Sequence, residues 1–368
     1  MSTSQAELRQ RLSSLSRSLH TAEAGPARLD QPLSHKSDRI LFDGRRRARK
    51  RIVLLTVGCA IATCTMCPFP SESHPQVRAE HLIEQFESSL AGDRLENYEV
   101  LTLFCNGNFF NPKEIEAGVR EHIFRRARAA GVSYVVVESL PQYLTAARLE
   151  TSRRQLGASR LCVFIGLQSA DEFVRNVCIN TTCSRAAFEA ACERMLAVGD
   201  IPAAFLMIKP PFLTEQESIR DVLLSLDYLG SLGVTHVTLC PARVAPRTLL
   251  ARLQELDQYQ PASVWALIDI LLAFGERGPA LPMVNTTELK DELNADSLCF
   301  QACSTCKERL IVAVEQFLFS RELGLLRALD CACRVVYQQR RNVEQARWQK
   351  LSWEQRIQHF LNSVDPAG

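Results

Sequence analysis

The chain has 368 residues, of which 46% are hydrophobic and 23% charged, and its net charge is +2. A chain of this length can bury a large core, so we expect one large domain or one domain with an appendage. The near-neutral charge provides no general attraction to nucleic acid or to a membrane, and the longest apolar runs, such as 266–274, are too short to span a bilayer. The N-terminus shows no apolar signal segment, so we expect a cytoplasmic protein with no membrane attachment.

The N-terminal segment, residues 1–50, is polar. Residues 1–38 are rich in Ser, Arg and Gln, which predicts a flexible or loosely helical lead-in. Gly44 to Arg51 (GRRRARKR) form a basic run directly before the first predicted strand. Such a run is typical of a solvated linker, or of a patch that binds phosphate or an acidic partner.

From residue 51, β-rich runs alternate with helical segments. Strands are predicted at 51–57, 98–104, 134–138, 161–167, 203–208 and 234–239, and helices at 74–90, 112–130, 142–156, 184–198, 214–232 and 261–274. Six such units predict an α/β fold, a partial (β/α)6 barrel over residues 51–280 with chemistry at the carboxyl ends of its strands. Residues 281–368 break the alternation and predict a helical, Cys-rich C-terminal extension.

The first group of cysteines lies directly after the first predicted strand. Cys59, Cys64 and Cys67 have a C-x4-C-x2-C spacing. Three thiolates on one short loop can bind three irons of a 4Fe–4S cluster and leave the fourth iron open to an outside ligand. In radical S-adenosylmethionine (SAM) enzymes SAM is that ligand, and its reductive cleavage yields a radical that takes a hydrogen atom from the substrate. The alternative is a zinc knuckle that includes His74.

A second group of cysteines lies in the C-terminal region. Cys303, Cys306, Cys331 and Cys333 form a Cys-x2-Cys pair and a Cys-x-Cys pair, with Cys299 as a substitute candidate. Four thiolates suit a structural zinc ion or an auxiliary iron–sulfur cluster. The alternative is that these cysteines carry no metal.

Five motifs, taken in order, resemble the archaeosine-synthase-associated radical SAM group, a relative of the elongator catalytic subunit. They are LLTVGCAIATCTMCPF (54–69), CNGNFFNP (105–112), VVVESLP (135–141), IGLQSA (165–170) and KPPFLTE (209–215). Trp265 and the Cys303-x2-Cys306 pair also match, so the resemblance extends over about residues 40 to 340. Asn106 and Asn108 depart from it, because they stand where the group has serines.

Polar residues at the predicted strand ends are the candidate cofactor ligands. Asn106, Gly107 and Asn108 would approach the methionine part of SAM, since a glycine lets the backbone come close. Glu138 and Gln168 would face the cavity, where their polar tips suit the amine or the ribose hydroxyls of SAM. The alternatives are an ordinary Asn-Gly turn and polar groups that are satisfied within the protein.

The candidate catalytic residues are Glu138 and Lys209. Lys209 ends the fifth predicted strand and would meet a carboxylate or phosphate of SAM or substrate, or else take part in a structural ion pair. Arg243 is a second cation of the expected cavity. The two cations predict a substrate that carries a carboxylate or a phosphate.

The resemblance implies a 4Fe–4S cluster and SAM as cofactors, and an electron donor such as ferredoxin or flavodoxin as partner. The group acts in transfer-RNA modification, where it cleaves a lysine adduct on a deazaguanine base to give archaeosine. The implied substrate is therefore a modified tRNA nucleoside, with a substrate-supplying enzyme as a further candidate partner. Two alternatives stay open: a radical SAM enzyme that acts on a small molecule or peptide, and a zinc-binding interaction protein.

Overall fold

A curled sheet forms the centre of the molecule. The computed structural model describes residues 3–20, 28–276, 283–284 and 300–364. The strands of the main sheet are β1 (Ser34–Phe42), β2 (Arg45–Leu54), β3 (Val100–Cys105), β4 (Tyr134–Glu138), β5 (Arg160–Gln168), β6 (Ile201–Ile208), β7 (His236–Pro241) and β9 (Met283–Val284). They lie side by side in that order; β1 is antiparallel to β2 and all other neighbours are parallel. Two short strands, β8 (Ala262–Ser263) and β10 (Phe300–Gln301), pair separately.

Helices follow the parallel strands as the apolar periodicity predicts. In chain order they are α1 (Thr3–Leu19), α2 (Ala79–Ser88), α3 (Ala117–Ala129), α4 (Ala146–Leu156), α5 (Arg185–Ala197), α6 (Glu215–Ser231), α7 (Leu249–Glu255) and α8 (Val264–Gly275). The C-terminal region adds α9 (Lys307–Ser320), α10 (Leu323–Arg327), α11 (Cys333–Trp348) and α12 (Trp353–Val364). The predicted α/β fold with a partial barrel and a helical C-terminal region is confirmed. None of the described helices combines the length and apolar character that a bilayer crossing requires.

The sheet has two apolar faces. Successive residues of a strand point to opposite sides. Leu101, Val135 and Val163 belong to the core between the sheet and its helices. Val136 and Cys162 belong to a second, smaller core inside the curl. Burial on both faces explains why these strands are almost continuously apolar.

The turn between β1 and β2 closes the N-terminal end of the curl. The Phe42 ring lies 5.0 Å from that of Tyr134 and 4.9 Å from that of His236, centroid to centroid. The Tyr134 hydroxyl donates a hydrogen bond of 2.6 Å to Asp43. This end is filled, whereas the cysteine loop and the candidate ligands follow the carboxyl ends of the strands, at the opposite end of the curl.

The basic run lies in a strand rather than in a linker. The predicted first strand began at Arg51, whereas β2 begins at Arg45. Arg47 pairs with Glu99 at 2.7 Å and Arg49 with Asp38 at 2.7 Å. These partners come from a neighbouring segment and from β1, a strand that the polar composition of the N-terminus concealed.

The N-terminal lead-in contains a regular helix, α1. Leu12 of this helix is fully buried, in a cluster that also contains Leu250, Ile357 and Phe360. This cluster joins α1 to α7 and α12, so three helices that are far apart in sequence pack together.

Candidate functional site

The first cysteine group lies on the loop after β2. Gly58, directly before it, has a φ of 88°, and a Cβ there would come within 2.5 Å of the Ser73 hydroxyl oxygen. A residue with a side chain would therefore displace the loop. The amide of Cys67 donates to the carbonyl of Cys64 at 3.2 Å, which closes a tight turn around two of the three thiols.

The three cysteines are partly buried, and their thiols are close enough to influence one another's ionisation. Burial, and then the neighbouring Cys59 thiol, raises the pKa of Cys64 to about 12. Burial, followed by Cys64 and Cys59, raises the pKa of Cys67 well above its ordinary value. Buried thiols that oppose each other's ionisation become thiolates when bound iron supplies positive charge. The donor set thus fits a cluster.

The same thiols do not form a site for a single ion. In the part of the chain that the structure describes, the four C-terminal cysteines make up the one group of three or more potential ligand atoms that could hold a metal ion. His74, the fourth ligand of the zinc alternative, accepts instead the amide of Gln76 through Nδ1 at 3.3 Å. The sulfurs of the first cysteine group are more widely spaced than those of the C-terminal group. This spacing suits a cluster, in which each thiolate binds a different iron.

Asn108 connects the loop after β3 to the cysteine loop. Its Nδ2 donates to Cys59 Sγ at 3.6 Å and to Glu114 Oε1 at 3.1 Å, and its Oδ1 accepts the amide of Leu140 at 3.0 Å. Gly107 precedes it, and a Cβ there would come within 2.1 Å of the Glu114 carboxylate. The glycine thus makes room for a buried carboxylate beside the cysteine loop.

Asn106 holds the two loops together. Its Oδ1 accepts the amide and the hydroxyl of Thr56, both at 2.8 Å, and its Nδ2 donates to the carbonyl of Glu72 at 2.9 Å. The side chain makes these three bonds across the base of the cysteine loop. Asn106 therefore links the loop after β3 to the segment that follows β2.

Glu138 and Gln168 lie at the carboxyl ends of β4 and β5. The Cys105 amide donates to Glu138 Oε1 at 2.7 Å. Burial, with a smaller contribution from Glu114, raises the pKa of Glu138 to about 8. Gln168 has a φ of 67°, and the β5–β6 register shifts just before it. A left-handed residue other than glycine stores strain, which proteins tend to retain at functional sites.

Lys209 lies at the end of β6, but its charge faces the C-terminal helices. Its Nζ pairs with Glu344 at 2.9 Å and with Glu215 at 3.6 Å, and its side chain is 2% exposed. The Tyr259 hydroxyl donates to its carbonyl at 2.8 Å. The structure therefore brings Asn106, Gly107, Asn108 and Glu138 around the cysteine loop and places the Lys209 ammonium in a buried ion-pair network.

Two acidic residues of the site, Glu114 and Glu72, were missed from sequence, whereas Arg243 was among the predicted cavity residues. Glu114 accepts the Ala60 amide at 3.2 Å, so its carboxylate fixes the backbone next to Cys59. Arg243, beyond β7, donates to both oxygens of Glu72 at 2.7 Å and so joins the cysteine loop to the far side of the sheet. Isolated glutamates in polar segments give no sequence signal that distinguishes them from surface residues.

Helix α1 covers part of the cysteine loop, and this too was missed. Arg9 donates to the carbonyl of Thr181 at 2.8 Å and to Asn180 Oδ1 at 3.1 Å. The Asn180 amide in turn donates to Ser13 at 2.9 Å and to the Thr63 carbonyl at 3.0 Å. The helix is thereby linked to the residue that precedes Cys64.

The second cysteine group converges on a point. The sulfurs of Cys303, Cys306, Cys331 and Cys333 all lie within 4.8 Å of one another. The Trp265 indole N–H donates to Cys333 Sγ at 3.2 Å. Hydrogen bonding with Cys306 lowers the pKa of Cys303 to about 6, which favours a thiolate. Cys299 lies outside the described residues.

Comparisons with known proteins extend the motif evidence. No family model matches the sequence. The chain is 28% identical over 298 residues to an uncharacterized protein of Methanocaldococcus jannaschii, covering 78% of this chain and 80% of that one. It is 23% identical over 327 residues to the archaeosine synthase subunit beta of Methanosarcina acetivorans, covering 87% and 92%. The corresponding subunit of Thermococcus kodakarensis is 24% identical over 318 residues, covering 82% and 94%.

Among solved structures, the archaeal Elp3 of Methanocaldococcus infernus aligns with a TM-score of 0.47 at 14% identity, over 67% of this chain and 59% of that one. The radical SAM methyltransferase TsrM of Kitasatospora setae aligns with a TM-score of 0.40 at 17% identity, over 58% and 40%. The sequence relatives confirm the resemblance that the five motifs predicted.

Proposed function

Because the chain is a radical SAM relative of the archaeosine-synthase group, we propose that it reductively cleaves SAM at a 4Fe–4S cluster and takes a hydrogen atom from a bound substrate. The observation that carries the proposal is the loop of Cys59, Cys64 and Cys67. Its cysteines are partly buried, desolvation and the neighbouring thiols raise the pKa of Cys64 and Cys67, and the loop follows the carboxyl end of a parallel strand. This is where an α/β sheet presents its ligands.

The proposed roles follow from the contacts. Cys59, Cys64 and Cys67 would bind the cluster, which with SAM supplies the reducing electron and the 5′-deoxyadenosyl radical. Asn108 keeps a hydrogen-bond donor on Cys59. Glu138, whose raised pKa leaves it largely neutral at pH 7, can both donate and accept a hydrogen bond at the strand ends.

Gln168 and Asn106 are the remaining residues of the proposed SAM-binding site. Gln168 presents an amide from a strained strand end, suited to ribose hydroxyls. Asn106 holds the backbone of Gly107 in place for close approach. Lys209 remains a candidate for a catalytic contact only if its carboxylate partners release it. The buried ion pairs of Lys209 with Glu215 and Glu344 support a structural role for this residue.

The substrate has two candidates. The relatives named archaeosine synthase support a modified tRNA nucleoside. The placement of the basic run favours a small molecule instead. Arg47 lies seven residues before the end of β2, about 23 Å away along a strand, and Arg47, Arg49 and Lys50 are each paired with a carboxylate. These cations stabilise the hairpin at the closed end and do not form a basic rim around the cysteine loop.

The proposed partners follow from the chemistry and from the relatives. Reductive cleavage requires a one-electron donor, for which a ferredoxin or flavodoxin is suited. The relatives are named as beta subunits, so we also propose a partner subunit that supplies the substrate.

The cluster assignment can be tested with three cysteine variants. Protein reconstituted without oxygen should bind about four irons at the first site and form 5′-deoxyadenosine on reduction. A variant with Cys59→Ala, Cys64→Ala and Cys67→Ala should lose both, whereas Cys192→Ala, which removes a buried thiol on α5, should keep both. Cleavage of SAM by the triple variant would refute the proposal.

Retention of tRNA separates the two substrate candidates. Binding of total tRNA should be measured at about 50 and 200 mM salt, since phosphate contacts weaken steeply over this range. Retention at low salt that persists when Arg45 and Arg46 are replaced with Glu would support an RNA substrate at the cysteine loop, because these two arginines lie at the start of β2, far from that loop. Absence of retention at low salt would leave the small molecule. Transfer of deuterium into 5′-deoxyadenosine from labelled tRNA or from a labelled small molecule would identify which of the two is the substrate.

A further inference from the structure

Helix α1 carries two adjacent stripes of side chains, and both have the i, i+4, i+7, i+11 spacing of a single helix face. The apolar stripe consists of Leu8, Leu12, Leu15 and Leu19. It packs in the apolar cluster that α1 shares with α7 and α12. The polar stripe lies one residue further along, ends directly after the helix, and consists of Arg9, Ser13, Ser16 and His20. The apolar stripe thus anchors the helix, and the polar stripe lies at the edge of its buried face.

The polar stripe is hydrogen-bonded to both ends of the segment that carries the C-x2-C pair. The Asn180 amide donates to Ser13 at 2.9 Å and to the carbonyl of Thr63 at 3.0 Å. At the other end, His20 Nδ1 and the Ser71 hydroxyl are joined at 3.0 Å. The two anchor points are about 10 Å apart along the helix. Helix α1 therefore runs across the outer side of the segment in which two of the three thiols lie.

The segment between these anchor points shares the apolar support of α1. Met66 stands between Cys64 and Cys67 and packs against the apolar cluster of α1, α7 and α12. The Leu250 amide of α7 donates to the carbonyl of Thr65 at 3.2 Å. Because helix and segment pack on the same elements, the position of one depends on the position of the other.

Ser16 lies in the middle of the polar stripe. It is 2% exposed, and among the described residues its hydroxyl oxygen has no hydrogen-bond partner. A buried hydroxyl without a partner is destabilising and rare in folded proteins. Ser13 and His20, one turn away on either side, reach the two ends of the cysteine segment, so Ser16 lies over the part between them. Iron-bound sulfur at this place would accept the hydrogen bond of the hydroxyl.

Arg9 brings a positive charge to the same surface. Its guanidinium donates to the carbonyl of Thr181 at 2.8 Å and to Asn180 Oδ1 at 3.1 Å. Burial raises the pKa of Cys64, and the charge of Arg9 acts against this rise because the guanidinium is close to the thiol. A cation is therefore in place next to a candidate thiolate ligand.

We propose that the polar stripe of α1 forms the outer wall of the iron–sulfur cluster site, where the Ser16 hydroxyl donates a hydrogen bond to a sulfur atom of the bound cluster and Arg9 provides a positive charge beside Cys64. This inference rests on the proposed function, because it extends the binding site of the same iron–sulfur cluster. Reduction adds negative charge to such a cluster, so a nearby donor and a nearby cation both favour the reduced state. The wall also excludes solvent from the thiolates.

The reduction potential of the reconstituted protein tests this wall. Ser16→Ala should shift the reduction equilibrium about fivefold toward the oxidised state, which is about 40 mV for a one-electron couple and is the contribution expected of one hydrogen bond. Ser14→Ala is the matched control, because Ser14 is exposed on the opposite side of the same helix, and it should leave the potential unchanged. Arg9→Gln should lower the potential, whereas Arg17→Gln removes an exposed charge of α1 and should leave it unchanged.

Stability and iron release distinguish this role of Ser16 from a structural one. In iron-free protein, Ser16→Ala removes a buried hydroxyl that has no partner, so the melting temperature should stay the same or rise. In reconstituted protein the same variant should release iron to a chelator about fivefold faster than the wild type, because the lost hydrogen bond held the iron–sulfur cluster. A serine that stabilised only its own helix would give the reverse: a lower melting temperature without iron, and unchanged iron release.

That reversed result would overturn the inference. So would a reduction potential and a rate of iron release in Ser16→Ala that equal those of Ser14→Ala. Equal potentials in Arg9→Gln and Arg17→Gln would remove Arg9 from the wall. Failure of the proposed function is distinct: a wild-type chain that binds iron on the cysteine loop without cleaving SAM would refute the function, and the potentials of the Ser16 and Ser14 variants would still decide the inference. A wild-type chain that binds no iron there would overturn both.

Discussion

The two cysteine groups differ in how their thiols are brought together. Cys59, Cys64 and Cys67 occupy one loop, and the hydrogen bonds of Asn108 and Glu114 hold the backbone around them. The C-terminal thiols come from two segments, and their sulfurs meet within 4.8 Å. As we propose them, the first arrangement would offer three thiolates and leave a position for an outside ligand, whereas the second would enclose its ion with four thiolates.

Sulfur spacing distinguishes the chemistry that each group suits. A zinc–sulfur bond of about 2.3 Å in a tetrahedron places the sulfurs about 3.8 Å apart. The Cys303–Cys306, Cys306–Cys333 and Cys303–Cys331 separations of 3.2, 3.4 and 3.7 Å are near this value. In a cubane each thiolate binds a different iron, so the thiolates lie farther apart than they do around a single ion. We therefore propose zinc rather than an auxiliary cluster at the second group.

Loss of the second group should have the largest effect on stability. Cys306→Ser combined with Cys333→Ser should abolish binding of about one zinc per chain and reduce the free energy of unfolding by several kcal/mol, because a structural zinc binds with about 10 kcal/mol or more. Elemental analysis and thermal unfolding would measure both quantities.

The matched control is Cys192→Ala, which should retain zinc and cost about 1 kcal/mol for a small cavity. Zinc content that is unchanged in the double variant, or iron in place of zinc, would contradict the assignment and remove the contrast between the two groups.

Sequence reasoning located both groups and the neighbouring strand-end residues Asn108 and Glu138, but not the rest of their surroundings. Apolar strands buried on both faces give continuous Val, Leu and Ile runs, so β3 to β7 were predictable from 98–104 onward. The cysteines were predictable because their spacing is local. Helix α1 was not, because a polar segment with weak periodicity obtains its burial only from α7 and α12. The role of Glu114 and the carboxylate partners of Arg243 and Lys209 depend on contacts between distant segments, which spacing does not reveal.

Glu138, which lies near the first cysteine group, should make the stability of the protein depend on pH. Its pKa is raised by burial from 4.5 to about 8. Below pH 4.5 the residue is neutral in both folded and unfolded chains, and between pH 4.5 and 8 the unfolded chain ionises more readily. Stability is therefore lost as the pH rises, by about 1.4 kcal/mol per pH unit at most, until both forms are ionised above pH 8.

Denaturant unfolding of the SAM-free protein between pH 5 and 8.5 would measure this loss. Glu138→Gln keeps the acceptor for the Cys105 amide and removes the titration, so its stability should depend less on pH than that of the wild type. If the stability of both proteins depended on pH in the same way, Glu138 would be solvated. That result would contradict its position on β4, between Phe104 of β3 and Phe164 of β5.

The smallest expected effect concerns one hydrogen bond in each group. Asn108 donates to Cys59 at 3.6 Å, and Trp265 donates to Cys333 at 3.2 Å. A donor on a cluster thiolate stabilises the reduced state, which carries more negative charge. Asn108→Leu should thus lower the reduction potential of the cluster by about 40 mV, which is the ~1 kcal/mol of one hydrogen bond expressed for a one-electron couple.

Trp265→Phe is the matched variant, because it removes the corresponding donor from a group that we assign to zinc. Zinc has no redox chemistry, so this variant should leave the cluster potential unchanged while it weakens zinc retention against a chelator. Spectroelectrochemical titration of both variants measures the difference. A shift of the cluster potential in Trp265→Phe equal to that in Asn108→Leu would mean that the second group also holds a redox-active cluster, and the distinction between an open and a closed metal centre in this chain would fail.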